Sequence, residues 1–495
     1  MGLAIIIIYS AALALIFGYC LVQFHLARKY VGWHRRNALD PQQTPPLPAD
    51  LPMVTVQLPL YNELYVTERL LDSVAALDWP ADKLEIQVLD DSTDESVGIA
   101  EEKIAALRAK GVNVLHIRRP DREGYKAGAL QYGMREAKGD FIAIFDADFT
   151  PKADFLRATI PWFQDPGIGI VQARWEHLNR DYSLLTRMQA FALDLHFSVE
   201  QLGRHAAGYF INFNGTAGIW RKTCIVDAGG WNADTLTEDM DLSYRAQLKG
   251  WRFRYLEGVT APAELPTEMS AVKTQQFRWN KGGAETARKL MGRVLRADLP
   301  FRVKFHAASH LLNTSNYLWI FLTAMLSIPL LWVKHEVVVI DYFKYASVFL
   351  FGSISIAYAY YVSTVFGAAN RKLAWREYAF RLPLFLAITM GLSLHNAVAV
   401  FRGWIGQRSA FIRTPKFAIV KDGDQWQNKK YVSRRIGWMT ALEALMVLYF
   451  LGGAAIGLYY HDYGLLPFHL MSAFGFGVIV FFSVRHAVVP RTGKG

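Results

Sequence analysis

Four clusters in this 495-residue chain carry side chains that could act together on a phosphorylated sugar. Asp146-Ala147-Asp148 sets two carboxylates two residues apart, after the apolar run Phe141–Phe145. Mg2+ and Mn2+ take oxygen ligands of this kind and share them with substrate phosphates. A lone D-x-D arises by chance; at the end of a strand-like run it makes Asp146 and Asp148 a candidate metal site, with Asp146 also facing the donor. Asp90 and Asp91 end a second apolar run and could accept from a nucleobase or ribose; an Asx-turn explains them too. Pro59, Tyr61 and Glu63 follow the first strand-like run and could wall the other side of a base pocket. Lys126, near a helix start, could meet phosphate or simply be a solvated lysine. Thr237-Glu238-Asp239 makes a good helix N-terminus. Its chemical reading makes Asp239 a general base, with a pKa raised by burial near other carboxylates. In Gln275-Gln276-Phe277-Arg278-Trp279, helical spacing puts Gln275, Arg278 and Trp279 on one face. Arg278 can hold a departing diphosphate, and Trp279 offers a flat platform for a pyranose. A helix lying on a membrane surface would carry the same residues.

These clusters need a scaffold, and the stretch from about 50 to 300 supplies one. Asp40–Pro48 is a proline-rich linker. After it, strand-like runs at 53–58, 84–89, 112–117 and 141–145 alternate with helix-like runs at 68–77, 96–110 and 125–137. That order predicts an α/β domain with a mostly parallel sheet. Ligands of such sheets gather at the carboxyl ends of the strands, where both aspartate pairs fall.

Outside this stretch the chain reads as membrane. Residues 3–24 are apolar with no early Lys or Arg, and His25, Arg28, Lys29 and Arg35 follow. This reads as a retained helix with its C-terminal flank in the cytosol rather than a signal peptide. Further apolar segments lie at 309–333, 343–366, 382–401, 437–460 and 466–485. Loop 334–342 is nearly neutral, hence outside; 367–381 and 402–435 are rich in Arg and Lys, hence inside. Segment 382–401 therefore has basic flanks on both sides, and it contains Pro383, His395 and Asn396, which are costly facing lipid. It reads as interfacial or re-entrant, with an ordinary span as the alternative. The boundaries that follow are 1–27 for the first helix, 28–50 for the linker, 51–300 for the cytosolic domain, 301–401 for membrane helices and the interfacial segment, 402–435 for a cytosolic segment, and 436–495 for the last helices and tail. The net charge of +11 is concentrated beside the apolar segments, which points to lipid and membrane orientation and not to nucleic acid. Two cysteines, Cys20 and Cys224, support neither a disulfide framework nor a zinc site.

The set Asp90-Asp91, Asp146-Ala147-Asp148, Thr237-Glu238-Asp239 and Gln275–Trp279 resembles the D, DxD, TED, Q(Q/R)xRW pattern of processive family-2 glycosyltransferases in the cellulose synthase superfamily. Val171–Trp175, Phe213–Arg221 and Phe411–Phe417 are similar to counterparts in plant cellulose-synthase-like A and C proteins, the glucomannan 4-beta-mannosyltransferase-like group. The resemblance covers roughly 50–420. It implies a GT-A domain between an N-terminal transmembrane helix and a C-terminal helical bundle. It also implies metal-dependent, inverting, processive polymerisation of a β-linked glucan, mannan or glucomannan from a UDP- or GDP-hexose, with transfer of the product across the membrane. Asp239 and Glu238 become the catalytic pair, Asn214, Gly215 and Thr216 join Trp279 at the acceptor, and Thr414 and Lys416 sit on a gating loop over the nucleotide. Partners would be the donor, the growing polysaccharide, the bilayer and, if any, export proteins. The location would be a plasma or inner membrane with a cytosolic catalytic domain, or a Golgi membrane in a plant. Two departures stand out: no cyclic-dinucleotide module follows the last apolar segment, and Asn280-Lys281-Gly282-Gly283 follows the Trp in place of the plant continuation. A single-step transferase acting on a lipid is the alternative function, and a non-enzymatic transporter the remote one.

Overall fold

The computed structural model describes residues 2–39, 44–336, 347–421 and 423–488. A seven-stranded sheet of order β3-β2-β1-β4-β6-β5-β7 organises the α/β domain. Its strands are β1 (Val54–Leu60), β2 (Leu84–Asp90), β3 (Val114–Ile117), β4 (Phe141–Ile144), β5 (Ile168–His177), β6 (Gly218–Arg221) and β7 (Arg252–Ala263). Strands β3, β2, β1 and β4 run parallel, as do β5 and β7. Strand β6 lies antiparallel between β4 and β5, so the sheet is mixed.

Both faces of β1 and β2 are covered, so the polar residues that alternate with apolar ones along these strands are buried too. Their polar residues fall in register and hydrogen-bond across the pair. Thr55 Oγ1 donates to Glu85 at 3.0 Å, Gln57 Nε2 donates to Gln87 at 3.0 Å, and Gln87 Nε2 donates to Glu85 at 3.1 Å.

The reversal at β6 has a functional result. An antiparallel strand begins at the sheet edge where its parallel neighbours end. The segment before β6, Asn214–Ala217, therefore arrives beside the carboxyl ends of β1 and β4.

Among the described residues six helices are long and apolar enough to cross a membrane, and the chain is a multi-pass integral membrane protein. They begin with α1 (Gly2–Leu39). Its C-terminal end docks on the domain, where Tyr30 Oη donates to Glu257 at 2.9 Å and His34 lies 2.9 Å from the same carboxylate. Four of the others are Asn313–Lys334, Ser347–Thr364, Trp438–Tyr459 and Leu466–Val488. Most of loop 334–342, expected outside, lies beyond the described residues.

The remaining helix, Arg371–Trp404, contains the segment 382–401. It is continuous over 34 residues with Pro383 inside it, so the chain does not turn back within this segment. The polar residues that seemed costly are turned to protein. Asn396 is fully buried, and His395 Nε2 bonds the Lys273 carbonyl at 3.0 Å. The helix also touches the α/β domain along its length, with Phe385 edge-on to Phe191 and Gly403 against the Lys281 carbonyl.

Candidate functional site

One cleft at the carboxyl edge of the sheet collects the chemistry-bearing side chains. Just beyond β4, the Asp146 backbone N–H donates to Thr216 Oγ1 at 2.9 Å, fixing the start of the D-x-D turn. Lys126, in the first turn of the helix Tyr125–Glu136, reaches Asp146 at 2.5 Å and the Gly215 carbonyl at 2.9 Å. Burial alone would lower the Lys126 pKa; the surrounding Asp146, Glu238 and Asp239 outweigh it and raise it. Asp148 is held in the same way by Lys416 at 2.7 Å. Both carboxylates thus face a cation, one from a helix and one from segment 405–437. Among the described residues no group of three or more His, Cys, Asp or Glu side chains could hold a metal. A divalent ion here would have these two hard oxygen donors from the protein and complete its shell from phosphate and water.

Glu238 and Asp239 open the helix Glu238–Leu248, and both line the cleft. Burial, and then the charge of Glu238, push the Asp239 carboxyl up to about 7. Burial raises Glu238 as well, against the attraction of Lys126. Gly215 has φ +78°, and a Cβ there would stand 3.2 Å from Asp239 Oδ2 and 3.4 Å from Lys126 Nζ. Glycine satisfies both the left-handed backbone and this close approach.

Gln275, Arg278 and Trp279 all point into the cleft from the helix Met269–Arg296, as the spacing predicts. Gln276 turns away, and its carbonyl accepts from Asn280 Nδ2. Arg278 lies over Phe411 at 4.5 Å and donates to Thr414 Oγ1 at 3.2 Å. The divergent residues after Trp279 form a joint. A Cβ at Gly282 would fall 2.6 Å from the Thr237 methyl, and one at Gly283 2.7 Å from the Thr314 methyl. Lys281, just before them, is buried, 2.8 Å from Glu285 and 2.7 Å from Ser409 Oγ.

The described residues of 405–437 form no helix or strand, yet Phe411, Arg413, Thr414 and Lys416 fill one side of the cleft. Arg413 pairs with Glu63 at 3.0 Å; burial dominates at Glu63 and pushes its carboxyl up to about 8.

Pro59, Tyr61 and Asp91 line the opposite wall, where Asp91 forms a bidentate pair with Arg119 at 2.9 and 2.5 Å. Asn214 and Gly215 also line the cleft, whereas two expected site residues do not. Asp90 is buried behind the wall, accepting from the Ser92 N–H and pairing with His116 at 3.0 Å. Thr216 is fully buried and acts through the Asp146 N–H.

Sequence reasoning missed several lining residues. Arg122 stacks 3.3 Å over the Tyr61 ring, and the run Arg118-Arg119 just before it was the available signal. Arg413, one residue before Thr414, could have been found as a basic residue in the gating-loop motif. Trp175 ends the family-like stretch Val171–Trp175, which was the available signal, whereas His177 lies two residues beyond it.

Residues 52–282 match the family described as glycosyltransferase like family 2. The chain is 46% identical over 263 residues to a probable glucomannan 4-beta-mannosyltransferase 7 of Oryza sativa subsp. japonica, covering 52% of this chain and 45% of that protein. It is 45% identical over 249 residues to glucomannan 4-beta-mannosyltransferase 9 of Arabidopsis thaliana, covering 49% and 47%. The chain thus spans about half the length of the curated relatives it matches. In fold it resembles the mannosyltransferase PcManGT from Pyrobaculum calidifontis, solved with GDP-Man and Mn2+, with a TM-score of 0.56 and 20% identity over 82% of this chain and all of that one. A cleft with the D-x-D, Thr237–Asp239 and Gln275–Trp279 clusters in one place, inside a matched stretch, leads to one conclusion: residues 52–282 are a family-2 glycosyltransferase domain related to the plant glucomannan 4-beta-mannosyltransferases.

Proposed function

We propose that the protein transfers hexose from a nucleotide sugar to the end of a growing β-linked polysaccharide, inverting the anomeric carbon at each addition. The observation that carries this reading is the convergence of Asp146, Asp148, Asp239, Arg278 and Trp279 on one cleft next to the membrane helices. The names of the plant relatives favour GDP-mannose as donor and a mannan or glucomannan as product.

Asp239 accepts the proton of the acceptor hydroxyl. The freed oxygen attacks the anomeric carbon from the side opposite the diphosphate. The bond from that carbon to the diphosphate oxygen breaks, and its electron pair leaves with the nucleotide. Arg278 supplies positive charge to the departing group in a buried setting, where it acts more strongly than in water. Trp279 holds the acceptor ring. Asp146 and Asp148 are the residues that would hold Mg2+ or Mn2+, and a bound divalent ion would screen diphosphate charge. A domain of the same fold holds GDP-Man and Mn2+ together.

The catalytic domain lies on the cytosolic side in this reading, at a plasma or inner membrane, or at a Golgi membrane in a plant cell. The contacts of helix Arg371–Trp404 with Phe191, Lys273 and Lys281 favour a course along the membrane face of the domain. Product enters the helical bundle beside the cleft, with or without separate export proteins. The test is to supply GDP-mannose, GDP-glucose, UDP-glucose and UDP-GlcNAc separately to membranes carrying the protein, then to size the product and digest it with linkage-specific glycosidases. A long β-mannosidase-sensitive product is expected. A single hexose on lipid, or no transfer from any donor, overturns the reading.

A further inference from the structure

Strand β5 ends in Trp175-Glu176-His177, and alternate residues of a strand share a face. Trp175 and His177 face the cleft. Glu176 takes the other side, where it accepts from Thr260 Oγ1 at 2.8 Å. The Trp175 ring is boxed by Phe149 at 5.2 Å and Phe197 at 5.0 Å, with Trp279 at 6.5 Å. It is a fixed aromatic surface beside the expected acceptor platform.

The polar atoms on this wall differ from those around Asp146. His177 is only 9% exposed, and neither Nδ1 nor Nε2 has a hydrogen-bond partner. Trp175 Nε1 and Asn214 Nδ2, on the same cleft, are also enclosed without partners. Buried polar groups are paired in the great majority of cases, and leaving one unpaired is costly. Three such groups around two indoles call for a ligand that is flat on one side and rich in hydroxyls. Burial also pushes the His177 pKa down to about 4. The ring is therefore neutral at cytosolic pH, with one nitrogen donating and the other accepting. A hydroxyl can meet either role, whereas a phosphate could meet only the donor.

Resting on the transferase reading above, we propose that His177 is a specificity-determining residue of the acceptor site, hydrogen bonding ring hydroxyls of the β-linked hexose unit that packs against Trp175 and Trp279.

The test uses full-length protein in detergent, with Asp239→Asn to prevent turnover, and reads binding of β-1,4-mannotetraose and cellotetraose by calorimetry. His177→Phe is expected to weaken tetrasaccharide binding about tenfold. Nucleotide-sugar affinity should stay unchanged, and His177→Gln should restore most of the loss. In the Asp239-intact protein, His177→Phe should shorten the product and raise the acceptor KM with kcat little changed. Unaltered tetrasaccharide affinity in His177→Phe overturns the proposal. So does an equal loss of nucleotide-sugar affinity, which would mark a structural role. Failure of the underlying reading looks different: the Asp239-intact, His177-intact protein would transfer no hexose at all.

Discussion

The two halves of the cleft are built on opposite electrostatic plans. On the half proposed for the donor the aspartates arrive already matched: Asp146 with Lys126, Asp148 with Lys416 and Asp91 with Arg119. On the half proposed for the acceptor, Trp175, Trp279, His177 and Asn214 line the cleft, and His177, Trp175 Nε1 and Asn214 Nδ2 have no hydrogen-bond partner. The first plan suits a ligand whose charge must be balanced throughout transfer. The second suits an uncharged ring that must be gripped and then released one unit further on. Asp239 lines the same cleft half-buried, and burial together with the charge of Glu238 raises its pKa.

The largest expected effect separates chemistry from both halves. Asp239→Asn should lower hexose transfer about 1,000-fold while nucleotide-sugar binding stays near the parental value; radiolabel incorporation and calorimetry on the same preparation check this. Arg278→Ala should lower kcat about 100-fold, with the acceptor KM little changed, in steady-state assays. A comparable fall in oligosaccharide affinity would erase the division between the halves. Removing divalent ions with a chelator should weaken nucleotide-sugar binding and spare tetrasaccharide binding, and added Mn2+ or Mg2+ should restore it. Trp279→Ala should weaken oligosaccharide binding about tenfold and shorten the product, with Trp279→Phe closer to parental. The smallest effect is a shift in pH profile. Because Asp239 must be ionised to act, kcat should fall as pH drops through about 7. Glu238 contributes negative charge that raises this value, so Glu238→Gln should move the acid limb to lower pH.

Much of the donor half was legible in the sequence because it is written locally. Each of its acidic pairs sits at the end of an apolar run, and β1, β2 and β4 start within a residue of the expected positions. The helical spacing of Gln275, Arg278 and Trp279 was equally direct. What escaped depends on long-range pairing. A four-residue strand such as β6 carries no mark of its direction, and its reversal is what delivers Asn214 and Gly215 to the cleft. Asp90 and Asp91 look equivalent in sequence, yet Asp90 falls behind the wall with His116 while Asp91 lines the cleft. His395 and Asn396 looked expensive for a membrane segment because their protein neighbours come from elements far away in the chain. Lys416 could be suspected of serving a nucleotide; that it also neutralises Asp148 follows only from the fold.

The glycine joint after Trp279 bears on how such a machine can cycle. With Gly282 pressed to Thr237 and Gly403 pressed to the Lys281 carbonyl, no side chain separates the platform helix from the loop leading to Asp239 or from the helix ending at Trp404. Parts in such direct contact pack as one unit, so the spacing between Asp239 and Arg278, the proposed proton acceptor and leaving-group cation, is set by backbone packing. In the proposed polymerisation, advance by one sugar is then left to the polymer and to the described residues of 405–437, which form no helix or strand.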